Sequence, residues 1–165
     1  AIKISNIRTL NNSQIFSVYT KPIINPILSS YFVELTGINQ SKIDNLGIDI
    51  KTGIKMFLDF AKGSHVLSWG NDIDVIIGNC DLFEIDVSLD NIKFSDIRKL
   101  FEKYSIKTNL YSSGTIHSFN DIHSPLKPGK EHNALSDCIS IVSALYKLEN
   151  IFGEDNLLES IENIY

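Results

Sequence analysis

Ala1–Ile4 alternates apolar and polar positions and Ile15–Tyr19 reads as a second such run, the two-residue period of a half-buried strand. Asn11-Asn12-Ser13 between them is a turn signal, so the opening predicts an antiparallel hairpin. Lys21-Pro22 and Asn25-Pro26 then interrupt regular structure, because proline lacks an amide donor and restrains the residue before it. Beyond them the period lengthens. Ser29–Leu35 predicts a short helix ended by Gly37, and Asn39–Leu46 predicts another, capped by Asn39 or Ser41. Ile50, Ile54, Phe57, Leu58 and Ala61 share one stripe of a helix over 50–61, with Gly63 as its stop.

Ser64–Trp69 is a short apolar run between Gly63 and Gly70, which suits a buried parallel strand. The chain offers it no obvious parallel neighbour, so a central strand is expected to be missing. Asp72–Phe83 resumes helical spacing, and Phe94–Tyr104 predicts a second amphipathic segment, read as core. Residues 105–131 are polar and irregular. The last strong helix runs from His132 to about Leu148, with Leu135, Ile139, Val142 and Leu145 on one side. Gly153 breaks it, and Asn156–Ile164 predicts a short final helix. The order implies an α/β protein of one domain over residues 1–165, with a mixed sheet flanked by helices.

Composition narrows the classes. The chain has 165 residues, 43% hydrophobic and 21% charged, with mean hydropathy +0.01, a globular profile rather than a disordered one. No apolar run approaches the ~20 residues that span a bilayer, so no membrane partner is expected. Ala1-Ile2-Lys3-Ile4-Ser5 lacks the regions of a signal peptide, and the missing Met predicts a chain cut or processed at its start. Cys80 and Cys138 lie outside any C-x-x-C pair and read as buried reduced thiols of a cytoplasmic protein. A net charge of −5 and a pI near 5.3 weigh against a large nucleic-acid surface. An enzyme that holds only a strand end can manage without one, since metal ions supply local positive charge.

Glu131-His132-Asn133-Ala134-Leu135-Ser136-Asp137-Cys138 is the most informative segment. His132 falls at the lead-in of the helix and Asp137 inside it. A carboxylate can hold a divalent metal while an imidazole takes a proton from the attacking water. On spacing alone, a helix cap at His132 and a solvated Asp137 are the plainer reading. Ser68-Trp69-Gly70-Asn71-Asp72 places a second carboxylate past the end of a buried strand, where open α/β sheets bind ligands. There Asn71 or Asp72 has the plainer reading of a helix cap. Asp74 is the rival carboxylate, roughly 200° further around a helix.

The order of these pieces resembles the DnaQ-like exonuclease superfamily, in its DEDDh branch of RNase T-type enzymes. Phe16 to Lys21-Pro22 is similar to that family's strand ending in Lys-Pro, and Leu35-Thr36-Gly37-Ile38-Asn39-Gln40 to its L-T-G-I-x-Q segment. Ser68–Asp72 is similar to the second exonuclease motif, and Phe94-Ser95-Asp96-Ile97-Arg98 to a recurrent F-x-D-[IL]-R segment. Ser112-Ser113-Gly114 falls where many members have S-G, and His132–Asp137 matches the third motif, H-x-x-x-x-D. Asp72 is preferred to Asp74 because Val75 and Ile76 then meet the family's apolar positions.

The resemblance implies a ribonuclease H-like fold and two Mg²⁺ or Mn²⁺ ions. It implies removal of nucleoside 5′-monophosphates from the 3′ ends of single-stranded RNA or DNA. Asp72 and Asp137 would be metal ligands and His132 the general base. Leu35, Thr36, Gly37, Ile38, Trp69 and Asn71 would meet the substrate. The family's first motif, D-x-E, precedes the hairpin and is not in this sequence, so the chain is expected to be a truncated form lacking the first, central strand. Oligomeric state stays open, with a homodimer one option because many members pair through a face of the fold. The alternative is an inactive module that keeps the fold for binding or protein contact. Trp69 and His65 also read as packing residues, Asp96 as a capping residue, and His117 and His123 as solvated loop residues.

Overall fold

Four helices begin where a short polar side chain precedes an apolar stripe and satisfies an amide of the first turn. In α1 (Ser30–Thr36) Ser29 Oγ accepts from the Phe32 amide, and Gly37, at φ 72°, closes the helix by donating to Val33. Asn39 caps α2 (Gln40–Leu46), Asp49 caps α3 (Ile50–Ala61) and Asn133 caps α6 (Ala134–Phe152) in the same way. The others are α4 (Asp72–Leu82), α5 (Arg98–Lys103) and α7 (Glu154–Glu162). The computed structural model describes every residue except Thr9, Asn11, Asn12 and Tyr165; the predicted turn at Asn11-Asn12 thus lies outside the described residues.

Strands are short and lie in three two-strand pairs among the described residues, so the protein is α/β but its strands do not join into one mixed sheet. β1 (Ile2–Lys3) and β2 (Gln14–Ile15) pair antiparallel, with Ile2 opposite Ile15, as the hairpin reading requires. The rest of the expected second strand is interrupted, and β3 (Tyr19–Thr20) pairs parallel with β4 (Gly47–Ile48) instead.

β5 (His65–Ser68) has a neighbour after all, β6 (Lys93–Asp96). The Lys93 amide donates to Ser64 and the Ile97 amide to Ser68, the same offset at both ends, so the two strands run parallel. This corrects two expectations. β5 is half-buried rather than enclosed on both sides. The start of the expected helical segment Phe94–Tyr104 is a strand, and only α5 is helical. The physical cause is Asp96, whose carboxylate accepts from the Gly70 and Arg98 amides and turns the chain out of the strand.

The chain divides into two compact units, one of Ala1–Ile15, Leu67–Gly70 and Ser95–Tyr165, the other of Phe16–Val66 and Asn71–Phe94. In the first, Ile97, Leu100, Phe101, Ile116, Ala144, Leu148 and Leu157 have no exposure and form the core. In the second, Ile54, Leu58, Cys80 and Ile85 pack together. In α4 Cys80 is buried but Val75 is 63% exposed, so the apolar pattern there does not map onto one buried face. No helix of the described residues is long and apolar enough to cross a membrane.

The buried side of α6 is more polar than its predicted stripe. Val142 and Leu145 are buried, Leu135 and Ile139 only half-buried, while Ser136, Ser140, Ser143, Lys147 and Glu149 are buried as well. Partners explain three of these. Glu149 accepts from Arg8 Nε at 2.9 Å and Nη2 at 2.6 Å, Lys147 reaches two carbonyls, and Ser140 meets His117.

Candidate functional site

The start of α6 gathers the first unit's chemistry. Asn133 caps the helix, accepting from the Ser136 amide at 3.2 Å, and His132 precedes it with φ 63°. A left-handed backbone is costly for a residue with a β-carbon, so surrounding bonds must hold it. His132 and the Ser113 side chain lie close enough to the Asp137 carboxylate to favour its charged form. His132 itself is exposed, while Asp137 is half-buried. The sequence-predicted pair is therefore brought together.

Asp137 Oδ1 is buried and has no hydrogen-bond partner. Burial pushes the Asp137 carboxyl above its ordinary range, and nearby Glu131 adds to this, while His132 and Ser113 oppose it. Gly114 forms the wall beside that oxygen. A β-carbon at residue 114 would come within 2.8 Å of Asp137 Oδ1 and 2.6 Å of Glu131 Cγ. Glu131 accepts a hydrogen bond from Ser112 Oγ, which also lies 3.0 Å from Thr115 Oγ1. Sequence reasoning misses Glu131, although it directly precedes His132. At Ser112-Ser113-Gly114 the sequence signals no more than a serine-glycine pair in a polar loop.

His117 is not the solvated loop residue that its polar surroundings in the sequence suggest. It is half-buried, with Nδ1 3.0 Å from Ser140 Oγ and 3.1 Å from the Gly114 carbonyl. Its carbonyl accepts from Lys147 Nζ at 2.5 Å, and Asn120 offers that ammonium a second carbonyl at 2.7 Å. Burial pushes the Lys147 ammonium below its ordinary range, against the pull of Asp121.

The other candidates fall elsewhere. Trp69 is in the first unit, half-buried, and tilts against Phe101 at 5.9 Å, a packing contact. Asp96 is structural: burial would raise its carboxyl, but the Arg98 side chain and the Arg98 and Gly70 amides hold it below the ordinary range. Asn71, Asp72 and Leu35 to Ile38 belong to the second unit. Asp72 and Asp74 both stand exposed in the first turn of α4, where carboxylates suit the helix dipole. Asn71 precedes that helix without capping it and donates to Asp74 Oδ2 instead. Leu35, Thr36 and Ile38 are half-buried around the end of α1, and the Thr36 hydroxyl bonds the Phe32 carbonyl and the Ile38 amide. His65 is half-buried in β5, and burial, with Lys93 nearby, holds its imidazole below the ordinary range. His123 is exposed. Both cysteines are free, Cys80 buried and Cys138 half-buried.

As a metal centre the first unit is incomplete by itself. Among the described residues no three His, Cys, Asp or Glu side chains are grouped so as to hold an ion. Asp137 nonetheless suits one ligand position, since one of its oxygens is buried and unclaimed. No protein-family model matches the chain, and no curated protein matches it.

Proposed function

We propose that this chain is a 3′→5′ exonuclease module of the DnaQ-like type, with a ribonuclease H-like arrangement, acting on the ends of single-stranded RNA or DNA. The observation that carries the reading is the His132–Asp137 pair, an exposed imidazole beside a carboxylate with an unclaimed buried oxygen. Asp137 would be a ligand for Mg²⁺ or Mn²⁺, which when bound supply charge stabilisation for the phosphoryl group. His132 stands at the surface and takes the proton of a water that attacks the terminal phosphodiester. The bond from phosphorus to the 3′-oxygen breaks, and a nucleoside 5′-monophosphate leaves. His132 takes a left-handed backbone at the entry to α6, which sets where the imidazole starts.

One observation favours a second reading, a non-catalytic binding module: Asp72 stands exposed in the first turn of α4, where the helix dipole by itself accounts for a carboxylate. A single assay separates the two. Oligonucleotides labelled at the 3′ or the 5′ end are incubated with the chain in Mn²⁺ or in EDTA. Stepwise shortening from the 3′ end that needs Mn²⁺ and is lost in Asp137→Asn and His132→Ala supports the enzyme. Metal-independent binding without shortening leaves the module.

A further inference from the structure

Asp137, Ser140, Ala144 and Lys147 are spaced three, four and three residues apart on α6, which puts them on one helical face. The 112–120 segment meets that face at three levels. Gly114 lies beside Asp137, His117 beside Ser140, and the Asn120 carbonyl beside Lys147. His117 links all three. Its amide donates to Ser140 Oγ at 3.2 Å, its Nδ1 lies 3.0 Å from that oxygen and 3.1 Å from the Gly114 carbonyl, and its own carbonyl accepts from Lys147.

The Gly114 carbonyl only accepts, so its bond to His117 exists only while Nδ1 carries a proton. Ser140 Oγ then accepts from His117. With the proton on Nε2 instead, Nδ1 accepts from the Ser140 hydroxyl and the Gly114 carbonyl loses this partner. The Gly114 α-carbon is the surface against which Asp137 Oδ1 rests, so turning that peptide changes the room left for the carboxylate.

We infer that His117 is a positioning residue for Asp137, holding the Gly114 peptide through Nδ1 so that the carboxylate keeps its orientation. The inference rests on the reading of Asp137 as a functional carboxylate. The side chain of asparagine can place an amide donor near the position of Nδ1, whereas leucine fills space without donating.

The test uses the full chain with His117→Asn, His117→Leu and Ser140→Ala. Two signals are followed by NMR, the Asp137 carboxyl carbon and the Gly114 amide, together with the Mn²⁺-dependent shortening assay. His117→Asn should leave both signals at their wild-type positions and keep activity. His117→Leu should move both signals and lower kcat about tenfold or more while KM stays, since small misplacements of reacting groups cost rate steeply. Ser140→Ala keeps the bond from Nδ1 to Gly114 and should leave the Asp137 signal in place even if the melting temperature falls. Should Ser140→Ala move that signal as far as His117→Leu does, or should His117→Leu move neither signal, the inference is overturned. If the wild type shortens no oligonucleotide, the exonuclease reading fails while the NMR comparison still decides the role of His117.

Discussion

Asp137 Oδ1 and the α-carbon of Gly114 are packed so closely that a β-carbon at residue 114 would stand 2.8 Å from the oxygen. Neither neighbour can yield easily, because Asp137 is fixed on α6 and Glu131 is tied to Ser112. Gly114→Ala should therefore destabilise the protein by about 1–3 kcal/mol, the usual cost of overpacking. Gly78 is the control, lying within α4 with open space, nothing within 4 Å, where a β-carbon would stand. Gly78→Ala should stabilise by about 0.4–1 kcal/mol, through helix propensity and a less free unfolded chain. Urea unfolding of the two variants checks the contrast, and equal effects would refute it.

Asp137→Asn should be more stable than the wild type at pH 7, by no more than about 1 kcal/mol once partial exposure is discounted, because it removes the charge that burial disfavours. Burial raises the folded carboxyl above its unfolded value, so the folded state binds the proton more tightly. Wild-type stability then falls as pH rises through the window between the two values. The advantage of Asn should be full above that window and vanish below the unfolded value of about 3.9. Melting temperatures from pH 3 to 7 would show the gap opening, and a gap independent of pH would count against it.

Asp96→Asn should act in the opposite sense. Asp96 accepts from Arg98 Nη2 at 2.6 Å and from the Gly70 amide at 3.1 Å, and these bonds outweigh burial to hold its carboxyl low. Its stabilisation is present above the unfolded value and is lost as pH falls through the folded one. Loss of about 1–2 kcal/mol at pH 7 is expected, on the scale of hydrogen bonds to a charged group discounted for partial exposure. The wild type and variant should converge in acid, and chemical denaturation at several pH values reads this directly.

Leu148→Ala should cost about 2–5 kcal/mol, since Leu148 has no exposure and sits among Leu100, Phe101 and Ala144 in the first unit's core. Val75, 63% exposed on α4, should tolerate alanine within about 0.5 kcal/mol despite its apolar character. A comparison of unfolding midpoints distinguishes core from surface here, where hydrophobicity alone would not.

Local bonding was legible in the chain. Asn39, a predicted cap, caps α2, and Gly37, the predicted stop, ends α1 with a left-handed turn, while Ser29, Asp49 and Asn133 cap helices by the same bond without having been singled out in the sequence. Such bonds close within one helical turn, so residue type and spacing decide them without help from the rest of the fold. The His132–Asp137 pair, five residues apart at a helix start, was a weak signal on spacing alone and stood out only through its resemblance to the third exonuclease motif.

Tertiary structure decided what joins distant segments. The pairing of β5 with β6 was hidden because Phe94 and its neighbours suit a helix as well as a strand, and only Ser64 and Ser68 opposite them, with Asp96 as the turning point, fix the choice. The polar face of α6 was hidden too, since Ser140 and Lys147 are buried only where His117 and two loop carbonyls can satisfy them. Spacing along a chain reports what one helix or strand can bond to itself; which buried polar group meets which partner depends on packing between segments, and periodicity carries no record of that.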